Sequence, residues 1–140
     1  MNIVVELFQN HPILSTLWLT LLMLVIAAFS SGGSGKPVAP QQLTDLVNRQ
    51  DGLVLDIRPV ADFGKGHIVG AVNAPLSKLD SMSKELERYK ERPVIIVCAQ
   101  GMTAVNACKL LKKQGFAQLY RLGNGMQAWS AENLPISKKA

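Results

Sequence analysis

The run Pro93-Val94-Ile95-Ile96-Val97 ends on Cys98 and constrains this chain more than any other segment. An unbroken β-branched stretch has no polar face. It reads as a strand covered on both sides, as in the interior of a parallel sheet. Cys98-Ala99-Gln100-Gly101-Met102-Thr103 follows without a charged side chain, and helical periodicity resumes over residues 104–114. A thiol placed between a buried strand and a helix start faces unpaired backbone N–H groups and the positive end of the helix dipole. That setting suits an anionic sulfur, and the thiolate is the nucleophilic form of cysteine. Covalent chemistry at Cys98 is therefore the first expectation.

The remaining segments alternate in type. Helical spacing predicts helices over 41–49, 79–89 and 126–132, the last stopped before Pro135, and Gly115 is placed to end the helix after Cys98. Strands are predicted over 53–57, 71–74 and 119–122. Strands alternating with helices argue an α/β domain with a mainly parallel sheet.

Composition narrows the function classes. The chain has two cysteines, with no CxxC pair and no Cys/His cluster, so neither a disulfide framework nor a zinc site is expected. Cys108 shares a helix face with Ala104, Ala107 and Leu111 and reads as a small buried hydrophobe. The net charge is +5, but the basic residues are scattered. A solvated basic surface is expected, with no nucleic-acid footprint, and it is compatible with anionic lipid headgroups.

From 12 to 29 the chain carries no charge and is dense in Leu, Ile, Val and Met. Eighteen helical residues reach about 27 Å, close to a bilayer's hydrocarbon thickness. The segment before it has no Lys or Arg, unlike the positive start of a cleaved signal peptide. A single transmembrane helix over 12–29 is expected. All 15 Lys and Arg residues follow it. The positive-inside tendency then puts the C-terminal domain in the cytoplasm and residues 1–11 outside. Residues 30–37 read as a flexible Gly/Ser tether, 38–136 as the domain and 137–140 as a tail.

The ordered motifs resemble the rhodanese-like family. Val54-Leu55-Asp56-Ile57-Arg58 is similar to its D-x-R strand end, and Gly66-His67-Ile68-Val69-Gly70-Ala71-Val72-Asn73-Ala74-Pro75 to its G-H-I-x-G-A-x-N-x-P segment. Residues 94–101 resemble the active-site strand and loop, and Gly125-Met126-Gln127-Ala128-Trp129 with Leu134-Pro135 the closing signature. With the apolar helix, the whole resembles a membrane-anchored single-domain bacterial rhodanese. The resemblance implies a three-layer α/β/α domain preceded by one transmembrane helix. It implies sulfur transfer through a persulfide on Cys98, with the backbone of Ala99, Gln100, Gly101, Met102 and Thr103 as the sulfur cradle. A donor such as thiosulfate and a thiol or cyanide acceptor are the implied reactants, with no cofactor or metal, and a membrane-associated protein is a possible partner.

Two details of the loop refine this expectation. A cysteine phosphatase needs an arginine where this chain has Ala104, which cannot clamp a phosphoryl oxygen. Family loops often carry an arginine where Thr103 stands. Its loss weakens anion binding by about 1–3 kcal/mol, and thiosulfate is expected to be a poor donor. Two readings stay open beside the enzyme: a membrane-tethered interaction or regulatory module, and a carrier loaded by a partner protein. Asp56 and Arg58 are candidates for the site rim, with a structural ion pair such as Arg58 with Asp62 as the competing reading. His67 reads as a structural histidine, Trp129 as core packing, and Gly101 as a position needing positive φ or close approach.

Overall fold

The computed structural model describes residues 2–30 and 35–139, and the chain divides into two compact units between Gly32 and Gly33. Half of the expected tether, 31–34, and the last residue of the expected tail lie outside the described residues.

The first unit is two helices, α1 (Asn2–Asn10) and α2 (Pro12–Ser30), bent by 108° where they meet. The break falls at His11, because a residue before proline is driven out of the helical region. Taken over Pro12–Ala28, α2 falls short of the single spanning helix expected from the sequence. No single helix among the described residues is long and apolar enough to cross a membrane, and α1 with α2 meets that measure only as a bent pair.

The second unit is built on a five-stranded parallel sheet of β1 (Lys36–Val38), β2 (Leu53–Asp56), β4 (Val72–Asn73), β5 (Val94–Val97) and β6 (Leu119–Leu122). Their order is β1-β6-β5-β2-β4, with β5 in the centre. β3 (His67–Ile68) and β7 (Ile136–Ser137) form a separate antiparallel pair. Residues 36 and 37, read from composition as tether, thus belong to the sheet edge, and Ser137 pairs with His67.

Helices cover both faces. Val94, Ile96 and Cys98 pack with Ala104, Ala107, Cys108 and Leu111 of α6 (Met102–Lys113). Ile95 and Val97 face the other way, onto Leu43 and Leu46 of α3 (Pro40–Gln50) and Met126 and Trp129 of α7 (Gly125–Ala131). α3 starts with Pro40 at its first turn and a Gln42 side chain that accepts the Ala39 N–H at 2.9 Å. Two short elements complete the list: α4 (Val60–Lys65) and α5 (Ser83–Leu86).

The continuous helix expected over 79–89 is instead a string of short turns, with 3-10 segments at Leu76–Lys78 and Glu87–Tyr89 around α5. Leu79 and Leu86 still anchor it in the core. The helical pattern fails locally where Ser81 competes for the backbone, while the Asp80 carboxylate accepts from Gln114 Nε2 at 3.0 Å. The Ser81 hydroxyl donates to the Lys78 carbonyl at 2.8 Å.

Cys108 is fully enclosed, and burial pushes its thiol up from 9.0 to about 11, against a smaller lowering by Arg121 and with a slight push from Cys98. Between pH 9 and 11 the unfolded chain releases this proton while the folded chain keeps it, so stability falls as pH rises. Denaturant titrations of the full chain in detergent should show wild type losing roughly 2–3 kcal/mol more than Cys108→Ala over that window. Parallel pH profiles would contradict the desolvation.

Candidate functional site

Cys98 leaves the C-terminal end of β5, and its loop is held by two helix starts. Gly101, at φ +91°, caps α6 and turns its N–H onto Cys98 Sγ at 2.8 Å. A Cβ at Gly101 would stand 3.1 Å from the Asn124 nitrogen. From the other side, Met126 N–H donates to the Cys98 carbonyl at 2.8 Å and Gln127 N–H to the Ala99 carbonyl at 3.2 Å. That approach requires glycine at 125, with φ +55°, since a Cβ there would run into the Cys98 carbonyl. The start of the loop is therefore held by backbone bonds from α7, and its Gly101 turn by the bond to the sulfur.

A cavity of about 600 Å3 opens at the sulfur. Its wall comes from the segments that follow three adjacent strands: Ile57 to Pro59 after β2, Pro75 to Ser77 after β4, and Cys98, Ala99 and Thr103 after β5. The carboxyl ends of parallel strands are where α/β sheets place their sites. Of the expected loop residues, Gly101 is the one whose amide reaches Sγ, and Ala99 and Thr103 line the cavity. Gln100 and Met102 are exposed.

Asp56 and Arg58 form the structural ion pair expected for this corner, but with each other rather than with Asp62. The Arg58 guanidinium donates through Nε at 3.0 and 3.1 Å and through Nη2 at 2.7 Å to the Asp56 carboxylate. Nη2 also donates to the Gly66 carbonyl at 2.8 Å, and the Arg58 N–H reaches Asp56 Oδ1 at 3.0 Å. The expected Arg58–Asp62 pairing is corrected: Asp62 faces Lys65 at 3.9 Å instead. The adjacent Asp56 carboxylate is buried and needs a cation, whereas Asp62 is solvated at the surface. Asn73 Nδ2 ties the same corner down by donating to the carbonyls of Asp56 and Arg58, each at 3.0 Å.

The other histidine and tryptophan expectations hold. His67 is buried, its ring stacked 3.6 Å from Phe63, and its Nδ1 lies 2.8 Å from the Phe63 carbonyl, so that nitrogen carries the hydrogen. Trp129 packs in the core and donates Nε1–H to the Pro135 carbonyl at 3.0 Å. Sequence reading did not single out Pro59, Pro75, Leu76 and Ser77 as cavity walls. Their signal was positional, since each follows a strand end.

Comparison with known proteins agrees with this geometry. A family model described as Rhodanese-like domain matches residues 39–132. The uncharacterized protein YibN of Escherichia coli (strain K12) is 38% identical over 139 residues, covering 97% of each chain. The thiosulfate sulfurtransferase GlpE of Pseudoalteromonas translucida is 32% identical over 96 residues, 69% of this chain and 90% of that one. Among solved structures, a thiosulfate sulfurtransferase from Pseudomonas aeruginosa superposes with a TM-score of 0.65 at 26% identity, over 74% of this chain and 19% of that chain. A rhodanese-related protein from Thermoplasma volcanium, at 24% identity, supports the fold alone, with a TM-score of 0.66 over 74% of this chain and 99% of that one.

Removing either partner of the Asp56–Arg58 pair leaves an uncompensated charge in the sheet's end. Asp56→Ala and Arg58→Ala should each lower unfolding free energy by about 3–5 kcal/mol in denaturant titrations. A loss below about 1 kcal/mol, typical of an exposed pair, would mean the pair is screened by solvent.

Proposed function

The chain belongs to the rhodanese-like domain family, and from that premise we propose that it is a sulfurtransferase working through a persulfide on Cys98. One observation carries the proposal: Cys98 lines the cavity at the strand ends, and its Sγ has the Gly101 N–H aimed at it from 2.8 Å. In the first half-reaction, Sγ attacks the outer sulfur of a donor such as thiosulfate. The donor's S–S bond breaks, sulfite leaves with the electron pair, and the transferred sulfur stays on Cys98. In the second, a thiol or cyanide attacks that terminal sulfur, and the bonding pair returns to Sγ. Two half-reactions through one covalent intermediate give ping-pong kinetics.

In this reading the protein's contribution is placement and charge stabilisation. The Gly101 amide donates to Sγ, and the start of α6 offers further N–H groups from Met102 and Thr103 to an anionic terminal sulfur. Ala99 and Gln100 carry the turn that keeps these groups close. Asp56 and Arg58 hold the rim and touch no reacting atom.

The same proposal tethers the domain to the inner membrane, facing the cytoplasm. Support comes from the exposed apolar side chains of α2, including Leu14, Leu17, Leu21 and Leu24, and from the position of every Lys and Arg after that helix. A reducing compartment also suits a free cysteine. Protease added to inside-out membrane vesicles should digest the domain, and protease added to intact spheroplasts should spare it. The reverse pattern would invert the topology.

The catalytic claim is tested on the full chain in detergent with thiosulfate and cyanide, reading thiocyanate formation and intact mass. Wild type should turn over and retain one added sulfur, and Cys98→Ser should do neither. Turnover that survives in Cys98→Ser would remove Cys98 from the mechanism.

A further inference from the structure

The cavity at Cys98 is unlike a site built for a small inorganic dianion. Its volume of about 600 Å3 lies within the range of about 300–1,000 Å3 that organic ligands occupy. Ile57, Pro59, Pro75, Leu76 and Ala99 make most of its wall, beside the hydroxyl-bearing Ser77 and Thr103. The charged residues on the wall are Arg58 and Asp62.

Neither charge stands unpaired before an incoming anion. Arg58 gives Nε and Nη2 to the buried Asp56 carboxylate and Nη2 also to the Gly66 carbonyl. The positive charge on this corner is thus already balanced. Asp62 adds a negative charge at the rim, and the lysine facing it, Lys65, is highly exposed and stands outside this cavity's wall. The loop itself carries no cation, because Thr103 stands at the position where an arginine would fit. A dianion entering here would shed water and gain backbone amides and two neutral hydroxyls, with no unpaired cation on the wall to offset its charge. An organic group, by contrast, would bury apolar surface against the proline and leucine wall.

Resting on the sulfur-transfer reading above, we propose that the donor is an organic sulfane-sulfur compound. Its sulfur rides on an apolar group bearing no more than one negative charge, as in organic persulfides and thiosulfonates. With a thiosulfonate, Sγ attacks the terminal sulfur, the S–S bond breaks, and the electron pair leaves with the sulfinate. With a protonated persulfide, the thiolate of the organic group leaves and the transferred sulfur keeps its proton. Both steps form and break one bond to sulfur and need no outside oxidant or reductant. Leu76 and Pro75 act as specificity determinants in this scheme, and Thr103 sets the charge that the loop accepts.

The test compares thiosulfate, methanethiosulfonate and benzenethiosulfonate as donors to cyanide, using the full chain in detergent. Each kcat/KM is divided by the uncatalysed rate constant for the same donor, which removes intrinsic reactivity. The expected order is benzenethiosulfonate, methanethiosulfonate, thiosulfate, with first and last separated by at least about tenfold, the worth of one charged hydrogen bond. Thr103→Arg should narrow that gap by raising the thiosulfate value relative to the benzenethiosulfonate value. Thiosulfate used as well as or better than benzenethiosulfonate by wild type would overturn the donor assignment and leave sulfur transfer standing. Failure of all three donors to add sulfur to Cys98, read by intact mass, would overturn sulfur transfer itself.

Discussion

Everything in the second unit depends on burying both faces of β5. Val94, Ile95, Ile96 and Val97 are completely enclosed, and they alternate between two separate apolar clusters. One strand thus binds α6 to one side of the sheet and α3 with α7 to the other. A strand so placed leaves its backbone no solvent-facing edge, so its pairing with β2 and β6 satisfies the ladder on both sides. The chain can leave this position only at the sheet's end, and there stands Cys98. The site's location follows from the core's geometry.

What turns that exit into a site is a pair of helix starts converging on one turn. α6 begins at Gly101 and points an amide at the sulfur, while the first turn of α7 bonds the carbonyls of Cys98 and Ala99. The arrangement divides the labour. Carbonyls of Cys98 and Ala99 are satisfied by α7, while the Gly101 amide at the start of α6 is directed to the sulfur. Gly125 makes the close approach possible, so a residue far along the chain sets how tightly the Cys98 loop is held.

Much of this was legible from residue pattern alone. The apolar run before Cys98, the periodic face of Ala104, Ala107, Cys108 and Leu111, and the Gly101 turn each announced their roles through chemistry that acts locally. The parts that escaped reading are those in which a neighbour decides. Ser81 broke a helix that Leu79 and Leu86 suggested, because its hydroxyl competes for the backbone. β1 looked like tether because Lys36 and Pro37 are poor strand formers, and only pairing with β6 makes them sheet. The two-residue strands β3 and β7 are too short to carry a period. Arg58 chose Asp56 over Asp62 for a reason of burial that spacing does not encode.

That choice joins the stability of the fold to the selectivity of the cavity. Arg58 stands beside Cys98's cavity, where a free guanidinium would attract a dianion. Burial of Asp56 at the end of β2 commits that cation to the fold, since a lone carboxylate there would cost more than the pair returns to any ligand. A nearby positive charge is therefore not the same as an available one. With the arginine's charge paired and threonine at 103, recognition passes to the apolar wall, the hydroxyls of Ser77 and Thr103, and backbone amides. The same interaction that lets the sheet end in a buried carboxylate leaves the cavity wall without an unpaired cation.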